Sequence, residues 1–350
     1  MRLLIVTNMF PRPEAPYYGV FVREQVESLR AQGAGAEVFV IEGWRNPLAY
    51  WTSIGRLTGT IRRGHFDLIH AHHDYACWTA LRARRRSGLR PPLLVTLHAG
   101  HVFAPPGARV RWSHRLLQGV ASRAAAQADA IVTVRHGHQP AGRRTVCIPC
   151  GVDMDRFTPM DRAEARRRLG AVFDEGRAPL IFFPADPARP EKRGDLARAA
   201  VEHLCAQGTP ATLVVGGRIA FEQMPLFYNA CDLALLVSDY EASPTVLKEA
   251  LACEAPVVSR RVGDAEWLLS GLDGAALCGG DPAGIAATIG QMLSRPRANG
   301  GRARLLERGL SLPQVARRLM QLYEELLTIR NARVSPPDDR PTGVPADAPS

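Results

Sequence analysis

Short, wholly apolar runs alternate with longer amphipathic stretches along most of the chain. Six runs read as strands in the first part: Leu3–Thr7, Glu37–Ile41, Asp67–His70, Leu93–His98, Ala130–Val134 and Val146–Pro149. Five more follow: Leu180–Pro184, Thr212–Val215, Leu233–Val237, Pro256–Ser259 and Ala275–Cys278. Runs that are apolar at every position, not every second one, belong to strands buried on both faces. That is the pattern of parallel sheets with helices packed on each side. The two series part at a turn-rich stretch holding Gly151, Asp153, Asp155 and Pro159. The expected fold is therefore α/β, with two doubly wound, Rossmann-like domains facing a cleft. Their expected bounds are 1–155 and 156–311, followed by an amphipathic helix over 312–330 and a disordered tail over 331–350, rich in Pro, Asp and Ala.

Open parallel sheets bind ligands beyond the carboxyl ends of their strands, so the segments following the strands carry the candidate chemistry. The richest runs from Ser238 to Ser259. Glu241 falls on a loop after the strand Leu233–Val237. Ser243 suits a helix N-cap and Pro244 the first helical position. A helix starting there would leave the N–H groups of Thr245 and Val246 free to hold an anion or a hydroxyl. Glu249 would then lie about 7–8 Å up that helix. Two carboxylates so placed could grip separate diols of one elongated ligand. After Leu180–Pro184 comes Arg189-Pro-Glu-Lys192, whose cations could neutralise a diphosphate leaving group. After the first strand, Gly19 would let backbone approach a phosphate closely. His98 and His101 end the fourth strand. His70, His72 and His73 cluster at the third, with no cysteine or carboxylate to complete an obvious zinc set, so no metal is expected.

Taken together, the sequence strand, Glu241-Ala-Ser-Pro, helix, Glu249-Ala-Leu-Ala-Cys, Pro-Val-Val resembles the family 4 retaining glycosyltransferases of the GT-B fold. That family's signature is a pair of Glu with seven residues between them. The resemblance extends over roughly residues 1–328 and takes in Ile148–Phe157, Pro190–Arg193 and Val262–Glu266. It implies transfer of a hexose or related sugar from a nucleotide-diphosphate-sugar with retention at the anomeric carbon, without a metal or other cofactor. Carried onto this chain, Glu249 would hold the ribose and Glu241 the transferred sugar. Lys192 and Arg189 would meet the diphosphate beside Gly19, and His98 would lie near the sugar, so that Glu241, Lys192 and His98 are the expected catalytic residues. The implied acceptor is a growing cell-surface glycan or a lipid-linked saccharide. Three positions depart from the family pattern: His101 stands where an Asp is common, Arg189 is shifted, and Gly19 lacks a second glycine beside it.

Charge changes this picture on one side. The net charge is +10, and residues 1–150 hold 20 Arg, no Lys and 8 acids. A basic first half suits an anionic partner. The aromatic and basic stretches Trp44–Arg63 and Arg109–Arg115 suit the surface of an anionic membrane. Nucleic acid is not expected as a partner, because no recognisable binding motif gathers the cations. The only lysines are Lys192 and Lys248, and both fall inside the motifs above. Seven cysteines, an odd number, read as reduced structural thiols. The chain enters a strand at once and holds no apolar run of spanning length. A cytoplasmic location, with peripheral contact at the inner membrane face, is the expectation. The residues alone leave two other readings open. One is a nucleotide-sugar epimerase or hydrolase using the same cleft, and the other is a noncatalytic basic nucleic-acid-binding protein.

Overall fold

The computed structural model describes residues 1–98, 112–137, 144–170, 173, 178–217, 219–295 and 300–334; of these, the side chains of 112–118 and 333–334 are left undescribed. His101, most of Arg109–Arg115 and the tail from residue 335 therefore lie outside the described residues.

All eleven expected strands form, within two residues of the expected ends. The first sheet contains β1 (Arg2–Thr7), β2 (Gly35–Val40), β3 (Leu68–His72), β4 (Leu93–Leu97), β5 (Ala130–Thr133) and β6 (Thr145–Cys147). The second contains β7 (Leu180–Phe183), β8 (Thr212–Val215), β9 (Leu233–Leu236), β10 (Val257–Arg260) and β11 (Ala275–Cys278). Every pairing is parallel, in the orders β2-β1-β3-β4-β5-β6 and β11-β10-β9-β7-β8. Strand order reverses between β1 and β3 in the first sheet and between β7 and β9 in the second, which is where such sheets open a ligand crevice.

The helices α1 (Val20–Ala31), α2 (Ala49–Gly64), α3 (Asp74–Ser87) and α4 (Trp112–Ala125) surround the first sheet. Helices α5 (Arg162–Leu169), α6 (Gly194–Ala206), α7 (Met224–Ala230), α8 (Thr245–Ala252), α9 (Ala265–Leu269), α10 (Pro282–Leu293) and α11 (Gly301–Glu307) surround the second. Strand pleating sends alternate side chains to opposite faces, and the cores follow it. Leu4 and Val6 of β1 enter one apolar cluster, while Leu3 and Ile5 enter another across the sheet. In β7, Phe182 and its neighbours Ile181 and Phe183 divide in the same way.

The final helix, α12 (Leu312–Val334), runs four residues past its expected end. It does not stay with the second sheet. Val315, Leu319, Leu322, Tyr323 and Leu326 pack against Leu3, Ile5 and α1 in the first lobe's core. The chain thus crosses between lobes twice, and the crossings are bonded together. The Val152 N–H donates to the Leu310 carbonyl at 2.9 Å, and the Leu312 N–H donates to the Val152 carbonyl at 3.0 Å.

Candidate active site

A cavity of about 630 Å³ lies between the carboxyl ends of the two sheets. Its floor on the first lobe is the turn before α1. Gly19 sits there at φ 73°, in the left-handed region. A Cβ at this position would come within 2.3 Å of the Met9 carbonyl carbon, so the turn closes only on glycine. The N-terminus of α1 and its free N–H groups therefore open directly onto the cavity.

On the second lobe, the 3-10 turn Pro190–Lys192 after β7 and the loop after β9 converge. The Lys192 ammonium donates to Glu241 Oε1 at 2.6 Å, with both side chains largely buried. The two residues expected to take separate parts of a ligand thus hold each other. A diphosphate entering here would draw the ammonium away from a partner already in place. The loop itself is tied down: Asp239 N–H donates to the Glu191 carbonyl at 2.9 Å, and Asp239 Oδ1 accepts from Arg193 and Arg260. Arg189 stands apart. It lines the cavity, but its side chain is 59% exposed and its guanidinium is bonded to Glu191.

Helix α8 begins one residue later than expected. Pro244 occupies the cap position with extended backbone, and Ser243 is not the cap. The reason is Lys248. Its fully buried ammonium donates to Ser243 Oγ and to the Cys150 carbonyl, each at 2.7 Å. The Ser243 hydroxyl is thereby turned beneath the loop as an acceptor. Of the residues expected to meet a ligand, Thr245, Val246 and Glu249 line the cavity, while Ser243 does not. Lys248 also faces away from it and joins the domain junction to the loop that carries Glu241. Gly263, at φ 57°, packs from below; a Cβ there would come within 2.5 Å of the Ala242 carbonyl oxygen. Glu249 is 8% exposed and accepts from the Tyr228 hydroxyl at 2.8 Å. Burial pushes its carboxyl up to about 7, against the Tyr228 hydrogen bond and the nearby Lys248 charge.

This arrangement has known counterparts. A family profile described as Glycosyltransferase Family 4 matches residues 15–156, and one described as Glycosyl transferases group 1 matches residues 189–295. The chain belongs to the family 4 glycosyltransferases. Its relatives include a D-inositol 3-phosphate glycosyltransferase of Geodermatophilus obscurus, 31% identical over 276 residues, which cover 66% of this chain and 60% of that protein. A protein of the same name from Mycobacterium sp. strain KMS is 30% identical over 295 residues, covering 73% and 65%. The match thus spans less than two thirds of the length of either relative. Among solved structures, sucrose-phosphate synthase from Thermosynechococcus elongatus aligns with a TM-score of 0.71 at 21% identity, over 94% of this chain and 99% of that one. HepE of Anabaena in complex with UDP-glucose aligns with a TM-score of 0.68 at 18% identity, over 93% and 100%. The fold is GT-B.

The first lobe of this family 4 chain departs from the sequence expectation in detail. His98 lines the cavity, yet both ring nitrogens have protein neighbours: Nε2 lies 2.8 Å from His72 Nδ1, and Nδ1 lies 3.6 Å from Cys150 Sγ. Its ring packs on Phe21, and that of His72 stacks beside it. Burial holds the His98 imidazole well below its ordinary pKa, with His72 and His73 adding to the effect. A neutral, bonded ring of this kind shapes the wall and orients it. His70 is sealed away from the cleft, its Nδ1 against the Tyr323 hydroxyl and its Nε2 against Thr96 Oγ1, each at 2.7 Å. His70 thus joins α12 to β3 and β4, whereas His73 lines the cavity. Among the described residues no group of three or more metal-ligating side chains gathers. All seven cysteines are free.

Among the residues not reached from the sequence, one lies behind the cavity wall and one lines it. Tyr228, on α7, supports Glu249 and gave no signal beyond an aromatic on a short helix. Glu24, on α1, lines the cavity at 7% exposure. Its signal was an acid on the buried stripe of an amphipathic helix, beside Val20, Val22 and Val26.

Proposed function

We propose that this protein is a retaining glycosyltransferase that moves a sugar from a nucleotide-diphosphate-sugar to a hydroxyl acceptor. One observation carries the reading: Lys192, Glu241 and Glu249 meet in one cleft with the N-terminal ends of α1 and α8. Lys192 and the two helix ends stabilise the diphosphate as negative charge develops on it, with Arg189 at the rim. Glu249, held by Tyr228, grips the ribose. Glu241 takes hydroxyls of the transferred sugar once Lys192 turns to the phosphates. His98 and Phe21 wall the sugar from the first lobe. No step in this scheme draws on a metal or other cofactor. For the acceptor we propose a glycan or lipid-linked saccharide of cell-surface polysaccharide synthesis. The exposed Trp44, Leu48 and Trp51 beside Arg45 and Arg56 support contact between the first lobe and an anionic membrane at its cytoplasmic face. A second acceptor class, a phosphorylated polyol, is suggested by the names of the relatives, D-inositol 3-phosphate glycosyltransferases.

The test is a thermal-shift screen against UDP-, GDP- and ADP-sugars, followed by a product assay with lipid-linked and phosphorylated-polyol acceptors. One donor should raise the melting temperature, because a ligand binding only the folded state stabilises it. Its sugar should then appear on the acceptor with the anomeric configuration unchanged. Epimerised or free sugar formed without any acceptor would replace the transferase reading with an epimerase or hydrolase. Retention of nucleic acid with no response to any nucleotide-sugar would replace it with a nucleic-acid-binding role.

A further inference from the structure

Glu24 is a carboxyl group in the cleft with no assigned task. It projects from α1 of the first lobe, and Glu249 projects from α8 of the second, yet both line the same cavity. They are near enough that the charge of Glu249 acts on Glu24; the other charges reaching it are Arg156 and Asp153 of the junction turn and Arg23 on its own helix. Glu24 is 7% exposed, and its Oε1 is sealed from solvent with no hydrogen-bond partner among the described residues. A buried carboxyl without a partner is costly to keep, and the fold offers no packing reason for one on a stripe otherwise made of valine, leucine and glutamine. Glu249 has one hydrogen bond, at Oε2 from Tyr228, so its other oxygen accepts none from the described residues.

We infer that Glu24 is a nucleotide-binding residue that reaches across the cleft to the ribose hydroxyls held from the opposite lobe by Glu249. This rests on the assignment of Glu249 to the ribose. A vicinal diol offers two donors and several lone pairs, enough to satisfy both carboxyl groups at once. Burial, and then the Glu249 charge, push Glu24 up to about 8. At neutral pH it carries its proton and can donate to a hydroxyl oxygen as well as accept from one. Because the two carboxyls belong to different lobes, a ribose between them ties the lobes together, while a sugar lacking one hydroxyl would leave one carboxyl unpaired.

The experiment measures binding of UDP, GDP and ADP, and of their 2′-deoxy and 3′-deoxy counterparts, to the full chain by calorimetry. The wild-type protein should prefer the ribonucleotide over at least one deoxy form by tenfold or more. Glu24→Ala should weaken the ribonucleotide at least fivefold and leave that deoxy form unchanged. If Glu24→Ala does not fold, Glu24→Met, of similar length but without oxygens, should give the same result. Equal loss for both nucleotides would mark Glu24 as structural and overturn the inference. Full retention of the ribonucleotide preference in the variant would overturn it as well, with the donor-site reading intact. Binding of no nucleotide by the wild type would overturn both.

Discussion

On the second lobe, the cleft wall presents side chains with charge to offer: Lys192, Glu241 and Glu249, each fixed by a bond to a neighbour. On the first lobe, the wall is the backbone at Gly19, the Phe21 ring and imidazoles whose nitrogens already face protein partners. One wall carries its charge on side chains, in the Lys192–Glu241 pair and in Glu249. The other is built to keep its shape. The difference separates two kinds of recognition: paired charges need particular residues, whereas a moulded surface needs only a volume.

The sharpest way to break this contrast is to remove the ammonium. Lys192→Ala should lower turnover about 100- to 1,000-fold in steady-state kinetics, as loss of an electrostatic transition-state contact does, while circular dichroism stays unchanged. A variant within threefold of wild type would mean that the second lobe does not carry the chemistry. On the opposite wall, Gly19→Ala should cost stability as well as activity. A side chain at positive φ that also meets the Met9 backbone should destabilise by about 3 kcal/mol in chemical denaturation. An unchanged unfolding midpoint would show that the first wall is pliable after all. Tyr228→Phe leaves the buried Glu249 without its donor and should raise the donor KM about tenfold, with little change in kcat.

Acidity probes the meeting of the two walls. Glu24 and Glu249 titrate near 4.5 when unfolded but are pushed up to about 8 and about 7 in the fold. Between those limits the folded protein holds protons that the unfolded chain has released. The stability they contribute is therefore full below about pH 4.5 and is lost as pH rises towards 8. The buried histidines, held below their ordinary 6.5, act in the opposite sense at lower pH, so the test is made above it. Between pH 6.5 and 8 the ligand-free melting temperature should fall, and Glu24→Gln should flatten that decline. A wild-type profile already flat from pH 6.5 to 8 would remove the carboxyl pair as a determinant. The smallest effect belongs to Arg189→Ala. An exposed guanidinium bonded to Glu191 is screened by water, so turnover should change less than about threefold. A loss rivalling that of Lys192→Ala would show that the guanidinium swings inward when donor binds.

The parallel sheets were legible because burial on both faces leaves an unbroken apolar run, as in Leu180-Ile-Phe-Phe. The placement of Glu241, Lys192 and Glu249 followed from where such strands end. What escaped were partnerships made across the fold. Ser243 reads as a cap until a lysine buried five residues later claims its hydroxyl. His98 reads as a residue beside the sugar, with no sign that β3 sets His72 against its ring. Glu24 draws no reading of its own, although it lies on the buried stripe of α1. Each depends on a neighbour remote in sequence or on a burial that local pattern does not report.

The return of α12 to the first lobe has a consequence for how the protein is made. The apolar face formed by Leu3, Ile5 and Val26 is covered by Val315, Leu319 and Leu322. During synthesis, that face therefore waits, uncovered, for a helix translated after every strand of both sheets. The second lobe has all its strands before that helix emerges, so the lobe translated first is the one completed last. A chain stopped before residue 312 would hold every cleft residue named above and still lack the closing piece of its own beginning.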